Sequence, residues 1–411
     1  MFRAILTLIL VFLYSNLQSQ ICGCNDPQAL NYNPQATIND GKCNYKHTDL
    51  TPDEVAKLPI ALKEISGIIS VNGYLWGHND GNNAASLYKI NSQTGIVMHE
   101  VKINAKNKDW EDITQDAEHI YIGDFGNNNG SRKKLKIYIL DKNKLSDTLA
   151  DVMEITFKYP DQKDFSKRNH QHNFDCEAFF YWQDTLHLFT KNWLNKWTKH
   201  YTLPAKVGEY TAQLVDSFDA SMLITGADVS PNGKWAALCG YDKLGNIGVW
   251  LLYGYDNFQF SKGNKRFISL GSALQLGQME GIAIADTLSM YLSSENFKGI
   301  APQQINYISV ANYINPTETH YINGKFVEDI KASANTLQGL LNTEITLHQP
   351  LVLDYYIIDY DNKQVFSKKQ VASKKGYNQL VFDTGKLPTG NYLLVVVGKE
   401  LVAKEKFRVV Y

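Results

Sequence analysis

The sequence lacks the short signatures of several familiar enzyme classes. It has no His-Glu-x-x-His motif, no Gly-x-Ser-x-Gly elbow and no paired Cys/His set, so zinc-peptidase and serine-hydrolase chemistry have no residues to rest on. It has no excess of either charge. Lys and Arg number 41 and Asp and Glu 42, for a formal net charge of -1, which leaves no electrostatic reason to expect a nucleic-acid partner. It has no amphipathic helical pattern of useful length, which argues against a helical bundle. It has one long apolar run, Ala4 to Tyr14, and no second candidate span. Cysteine is scarce, with five residues placed unevenly.

What is present points to export and to strands. Residues 1–20 combine Arg3, the apolar run and a small polar stretch from Ser15 to Gln20, the pattern of a secretory signal peptide cleaved before Ile21. The run is short for a membrane anchor. Export permits disulfides, and Cys24–Cys43 is the expected bridge, closing a loop with too few apolar residues for a core. Cys22 is the odd thiol. Cys176 and Cys239 are either bridged or buried free thiols. The load of 24 Tyr, 18 Phe and 7 Trp suits strands.

Residues 21–46 concentrate oxygen-bearing side chains: Asn25, Asp26, Asn31, Asn33, Asn39 and Asp40. Two readings stand, a calcium-binding loop and an Asx-rich, disulfide-clipped spacer. The segment resembles the short Cys-Asx-Pro modules of secreted and surface proteins of the Bacteroidetes.

From residue 65 onward, short apolar or alternating strands are separated by Gly, Asp and Asn turns. Five units start near Ile65-Ser66-Gly67, Glu111-Asp112-Ile113, Cys176-Glu177-Ala178, Gly226-Ala227-Asp228 and Glu280-Gly281-Ile282. Their spacing is that of propeller blades. The predicted fold is all-β: a five-bladed β-propeller over 55–320, six-bladed if 255–275 or 45–62 forms a further blade, followed by a small antiparallel β-sandwich over 335–411. A pair of β-sandwiches is the alternative for the body.

In a propeller the inner strands all begin at one face, so acids near those starts converge. Glu64, Glu111, Asp112, Asp124, Glu177, Asp228, Glu280 and Glu295 are the candidates. Carboxylates gathered at one channel repel each other, and a divalent cation relieves the repulsion. The predicted metal set is Glu111, Asp112, Asp124, Glu177, Asp228 and Glu280, with calcium preferred to zinc. Arg132, Lys191 and Asn192 are candidate ligand contacts. Trp110, Trp182, Trp193 and Trp197 are candidates for an aromatic binding patch. The competing reading of each acid is a solvated side chain or a turn cap.

The stretches Asp109 to Ile113, Ile120 to Asn128, Asp175 to Ala178, Leu188 to Lys191 and Thr225 to Lys234 resemble an exported bacterial propeller group. That group is distantly similar to phytase-like and esterase-like propellers and to surface lactonases. The resemblance implies calcium held by channel-face acids, here Glu111, Asp112, Glu177, Asp228 and Glu280. Farther on, Asp359-Tyr360-Asp361-Asn362, Leu387 to Tyr392 and the closing Lys406 to Val410 resemble the sorting domain of the Bacteroidetes type IX secretion system. This resemblance implies an address read by outer-membrane secretion machinery.

Two functions follow from these readings. One is a calcium-stabilised, monomeric, secreted or outer-membrane surface propeller that binds an extracellular protein, glycan or small molecule. The other is a calcium-dependent hydrolase of a phosphoester or other ester, in which Glu111 or Glu177 activates water.

Overall fold

The computed structural model describes residues 20–285, 288–310, 313–314, 327–335, 338–359, 363–385, 387–398 and 401–410. The leader, apart from Gln20, lies outside the described residues, as do the turns expected at Asp286 and at Asp361-Asn362. Strand accounts for 58% and helix for ~4%, so the all-β reading of the aromatic, helix-poor sequence holds. No described helix is long and apolar enough to cross a membrane.

Between residues 53 and 309 the strands form five sheets. Sheet I runs Ile65–Val71, Tyr74–Asn79, Ser86–Ile90 and Val97–Ile103, and sheet II runs Trp110–Gln115, His119–Asp124, Leu135–Asp141 and Met153–Lys158. Sheet III runs Asp175–Trp182, Thr185–Lys191, Trp197–Pro204 and Gln213–Asp219, and sheet IV runs Leu223–Val229, Trp235–Tyr241, Asn246–Tyr253 and Asn264–Ser272. Sheet V has Gln278–Ile284, Ser289–Glu295 and Gln304–Ser309, and its fourth strand is Asp53–Lys57 from the far end of the chain. Successive strands of these sheets are antiparallel, and sheets I and II each gain a short parallel edge strand, Leu149–Ala150 and Gly208–Thr211. The segments 255–275 and 45–62 thus complete sheets IV and V, and among the described residues neither builds a sixth.

Turn chemistry explains the regularity. Asn72 and Gly73, both at positive φ, join the first two strands of sheet I, and Gln183 and Asp184, also both positive, join those of sheet III. Two positive φ values give the turn whose twist matches a hairpin.

Apolar side chains fill the spaces between neighbouring sheets. One core joins Ile69 and Trp76 of sheet I to Trp110 and Ile122 of sheet II. Others join Ile137 to Phe179, Phe180 to Leu238, and Val249 to Ile282. A fifth joins Ala283 and Ile305 of sheet V to Ile65 and Ile68 of sheet I. The first strands touch in the same sequence: I with II, II with III, III with IV, IV with V, and V with I. Small residues permit that approach. A methyl group at Gly281 would meet the Ser66 carbonyl oxygen, and one at Gly226 the Glu280 carbonyl oxygen.

The amino-terminal loop is clipped by the Cys24–Cys43 disulfide. It rests on sheet IV: Asn39 Nδ2 donates to Asn264 (2.8 Å), and Asp26 Oδ2 accepts from the hydroxyls of Tyr253 (2.7 Å) and Tyr45 (2.8 Å). Three further Asx oxygens cap their own turns, Asn33 accepting from the amide of Gln35, Asn39 from Gly41 and Asp40 from Lys42, and Asn31 accepts from the amide of Asn44 across the loop. Cys22 is an exposed free thiol, and Cys176 and Cys239 are buried and unbridged.

The carboxy-terminal part contains two sheets. One comprises Val327–Asn335, Leu340–Leu347 and Gly376–Asp383, and the other Leu351–Asp359, Gln364–Ser373, Gly390–Gly398 and Leu401–Val409. They share one core, which includes Ile330, Ile345, Tyr355 and Val396. The bland stretch 332–341 has the composition of a linker or short helix, yet its residues 332–335 and 340–341 belong to two strands. The first of these begins at Val327, ahead of the expected boundary at 335, because Val327 and Ile330 pack into this core.

Candidate functional site

Each first strand carries a pairing irregularity near its start. The register skips Ser66-Gly67 in sheet I, Glu111-Asp112 in II, Glu177 in III, Thr225 in IV and Glu280 in V. A bulge leaves its extra residue unpaired and re-aims its side chain. Three of the five bulges hold a glutamate, and these glutamates interact across sheets. Glu111 is acted on by Glu177, Asp80, Asp109 and Asp175, while Glu177 is acted on by Glu280. Glu295, at the end of its strand opposite Gln278, is acted on by Glu280, Asp80 and Glu64. Acids from sheets I, II, III and V, at the end where the first strands begin, therefore lie near enough to act on one another, and that end is called the mouth.

The tightest group is Asp80, Asp109 and Glu111, with one carboxylate oxygen from each lying within 4.8 Å of the others. Asp80 follows the second strand of sheet I, Asp109 precedes the first strand of sheet II, and Glu111 is the bulge residue. Glycine makes the gathering possible. A methyl group at Gly126 would lie within 2.6 Å of the Asp109 carboxylate and collide with Glu111, and one at Gly81 would meet Asp109 Oδ1 at 2.7 Å. Glu111 is only 5% exposed, and among the described residues its carboxylate receives no hydrogen bond and no cation.

Burial and mutual repulsion favour the protonated acids. Burial, then Glu177 and Asp80, holds the Glu111 carboxyl well above its ordinary range. Burial, then Asp80 and Asp175, lifts Asp109 to about 7. Burial lifts Glu280 to about 7 against the pull of Lys191, and burial with Glu280 and Asp80 lifts Glu295 to about 9. Asp80, Asp109 and Glu111 offer oxygen ligands only, close together, and the cluster could coordinate a divalent ion.

The other wall of the mouth is aromatic. Lys191 Nζ lies 2.6 Å from Glu177, 5.0 Å from the Trp193 ring centre and 5.2 Å from that of Tyr241. Burial opposes its charge, but Glu177 and the surrounding acids keep the ammonium well above its ordinary range. Trp193 Nε1 donates to Asp175 Oδ2 (2.8 Å), and His170 stacks on the Trp193 ring at 3.8 Å.

The remaining sequence candidates are placed elsewhere. Asp112, fully buried, turns into the seam between sheets, where it accepts from the amides of Ile113 (2.8 Å), Phe179 (2.9 Å) and Ala227 (3.2 Å). It thereby ties sheet II to III and IV. Asp228 does the same for sheet V, accepting from Ile284 at 2.7 Å. Their oxygens are engaged by backbone and do not join the Asp80 cluster. Asp124 is paired with Arg132 at 2.9 Å, and Arg132 also donates to the carbonyl oxygens of Gly126 and Asp124. Asn192 accepts from the Thr190 hydroxyl. The four tryptophans form no patch: Trp110 is fully buried in the core between sheets I and II. The run Asn79 to Asn83, which holds Asp80, reads from sequence either as added oxygen ligands or as a tight turn, and nothing in it separates the two. Asp109, Asp175 and Tyr241 were not among the sequence candidates.

A groove of about 430 Å³ lies away from these acids. It is lined by Tyr74, Trp76, His99 and neighbours at the opposite ends of the strands.

No protein-family model matches the chain, and no characterised protein matches it in sequence. Solved structures show weak, partial likeness. A chain of the mitotic checkpoint complex is 13% identical, with 60% of this chain and 62% of that one covered at TM-score 0.30. PorZ, a surface component of the type IX secretion system of Porphyromonas gingivalis, is 11% identical, with 84% and 45% covered at TM-score 0.30. A GH43_1 enzyme from Xanthomonas citri is 9% identical, with 63% and 90% covered at TM-score 0.38. The chain thus spans less than two thirds of the length of the first two.

Proposed function

We propose that this protein is an exported, monomeric five-bladed β-propeller whose acidic mouth holds a divalent cation and binds an extracellular ligand. The cyclic order of first-strand contacts and the five inter-sheet cores support closure of the ring. A sheet left open would expose two apolar faces and two edges. The observation that carries the site is the Asp80, Asp109 and Glu111 triad, whose buried glutamate has no donor of its own.

Those three residues would hold the ion, and calcium suits an all-oxygen set on loop and bulge. A bound calcium ion supplies positive charge among the acids and coordination positions for a ligand oxygen. Glu177, Lys191, Trp193 and Tyr241 form the facing wall that orients what enters. The leader over 1–20 and the sorting-like sandwich over 335–411 would route the protein through outer-membrane secretion machinery to the cell surface.

Binding is preferred to hydrolysis on the state of the charged groups. A phosphoester needs available cations, but Lys191 is held by Glu177 and Arg132 by Asp124. The same pairing occupies Glu177, the candidate base. Calorimetric titration of chelator-treated protein with calcium, magnesium and zinc should give one calcium site, and phosphatase and esterase assays should give no turnover. Hydrolysis that disappears with chelator would reverse the choice, and absence of any divalent binding would remove the cation.

A further inference from the structure

The mouth is ringed by loops with an unusual surface. In every sheet the start of the first strand pairs with the end of the second: Ile65 with Asn79, Trp110 with Asp124, Asp175 with Lys191, Leu223 with Tyr241 and Gln278 with Glu295. Segments before first strands and after second strands therefore emerge at the same end as the acids. Four of the five most exposed large apolar side chains among the described residues stand on those segments: Leu244 (87%), Ile60 (77%), Leu194 (62%) and Ile300 (62%). They belong to sheets IV, I, III and V respectively. Single exposed leucines are ordinary, but several gathered round one polar pit mark an interaction surface.

Charge identifies what would sit there. Asp80, Asp175, Glu177, Glu280 and Glu295 share the influence of Lys191, the one buried amine among them, while Glu64 pairs with Lys63 and Asp109 is acted on by Arg132. Lys191 itself shows the chemistry that the mouth accepts, an alkylammonium against a carboxylate with aromatic rings beside it. Across from it, Glu280 and Glu295 have no ion pair among the described residues. A lipid surface is excluded by its negative charge, and a neutral glycan would leave these acids uncompensated.

We propose that this end of the protein docks a polypeptide segment in which a lysine or arginine enters the mouth against Glu280 and Glu295 while its apolar neighbours rest on Leu194, Leu244 and Ile300. The proposal rests on the mouth being the binding site, but it does not require the cation.

The test is selection of a displayed random dodecapeptide library on the purified exported protein, followed by affinity measurement with the enriched peptides. The expected peptides carry Lys or Arg between apolar residues. Replacing that basic residue by Gln, or making Glu295→Gln, should weaken binding about tenfold or more. Leu244→Asp, at an exposed position that cannot disturb the core, should weaken peptide binding and leave calcium uptake unchanged. Weakening of the complex at high salt is also expected. No enrichment over an empty surface, enriched peptides without a basic residue, or affinities indifferent to both Glu295→Gln and Leu244→Asp would overturn the proposal. Calcium uptake without peptide binding would sink this inference alone, and peptide binding without calcium uptake would sink the cation alone.

Discussion

The mouth and the amino-terminal loop are both rich in side-chain oxygen, yet they differ in what those oxygens face. In the loop, Asn33, Asn39 and Asp40 accept the amides of their own turns, Asn31 accepts from Asn44 across the loop, and Asp26 accepts two tyrosine hydroxyls. These side chains each find a donor, so the loop is held by its own hydrogen bonds and the disulfide. In the mouth, Asp109 and Glu111 face other carboxylates, with glycines packed against them. Composition was alike in the two regions, and donor supply was not. An oxygen cluster could coordinate a divalent ion where the chain supplies few donors of its own.

The sharpest break of that comparison is Glu111→Gln. It removes one charge from the triad and should weaken divalent-ion binding about 100-fold or more, since even residues behind the ligands cost 10- to 100-fold. Calorimetry reads this directly, and an unchanged affinity would place the ion elsewhere.

The next effect concerns stability. Asp112→Ala leaves the buried amides of Phe179 and Ala227 without an acceptor, which should cost about 3 kcal/mol in denaturant unfolding. Asp112→Asn, which keeps one acceptor oxygen, should cost less. Equal behaviour of the two variants would show that the seam does not depend on this acceptor.

A smaller, graded effect is expected from pH. Asp109 and Glu280 titrate near 7 and Glu295 near 9, all above the unfolded carboxyl range. The metal-free fold therefore binds more protons than the unfolded chain between about pH 4 and those values. Its stability is fullest at the acid end of that window and declines as pH rises toward 9. Calcium displaces those protons, so the gap in Tm between loaded and metal-free protein should widen with pH. A gap that narrows instead would mean that the acids are already ionised without the ion.

The smallest effect should come from the loop. Asp40→Asn keeps the oxygen that caps Lys42, and calcium affinity should stay within about twofold. A larger loss would move the cation to the loop and dissolve the contrast between the two regions.

Much of the site was legible residue by residue. Glu111, Glu177 and Glu280 could be singled out because each stands at the start of a strand in a repeating unit, and those starts share an end. The sequence could not separate Glu111 from Asp112. Adjacent residues in a strand point to opposite sides, and only the bulge at this pair decides that the glutamate opens to the mouth while the aspartate closes the seam. Asp80 could be read equally as a ligand or as part of a tight turn, and Asp109 escaped because it lies in a loop whose approach to Glu111 depends on Gly81 and Gly126 from other parts of the chain.

By itself the sequence determined the all-β class, the approximate positions of the sheet starts, the Cys24–Cys43 pairing and the presence of excess acid near the first strands, because alternation, turn residues and loop closure are local properties. The tertiary structure alone decided which acids meet and which are tied into seams. It also decided that Asp53–Lys57 completes the sheet begun at Gln278 and that four exposed apolar side chains share the rim of the mouth. Those outcomes depend on sheets packing against one another across long sequence separations, and no local pattern encodes them.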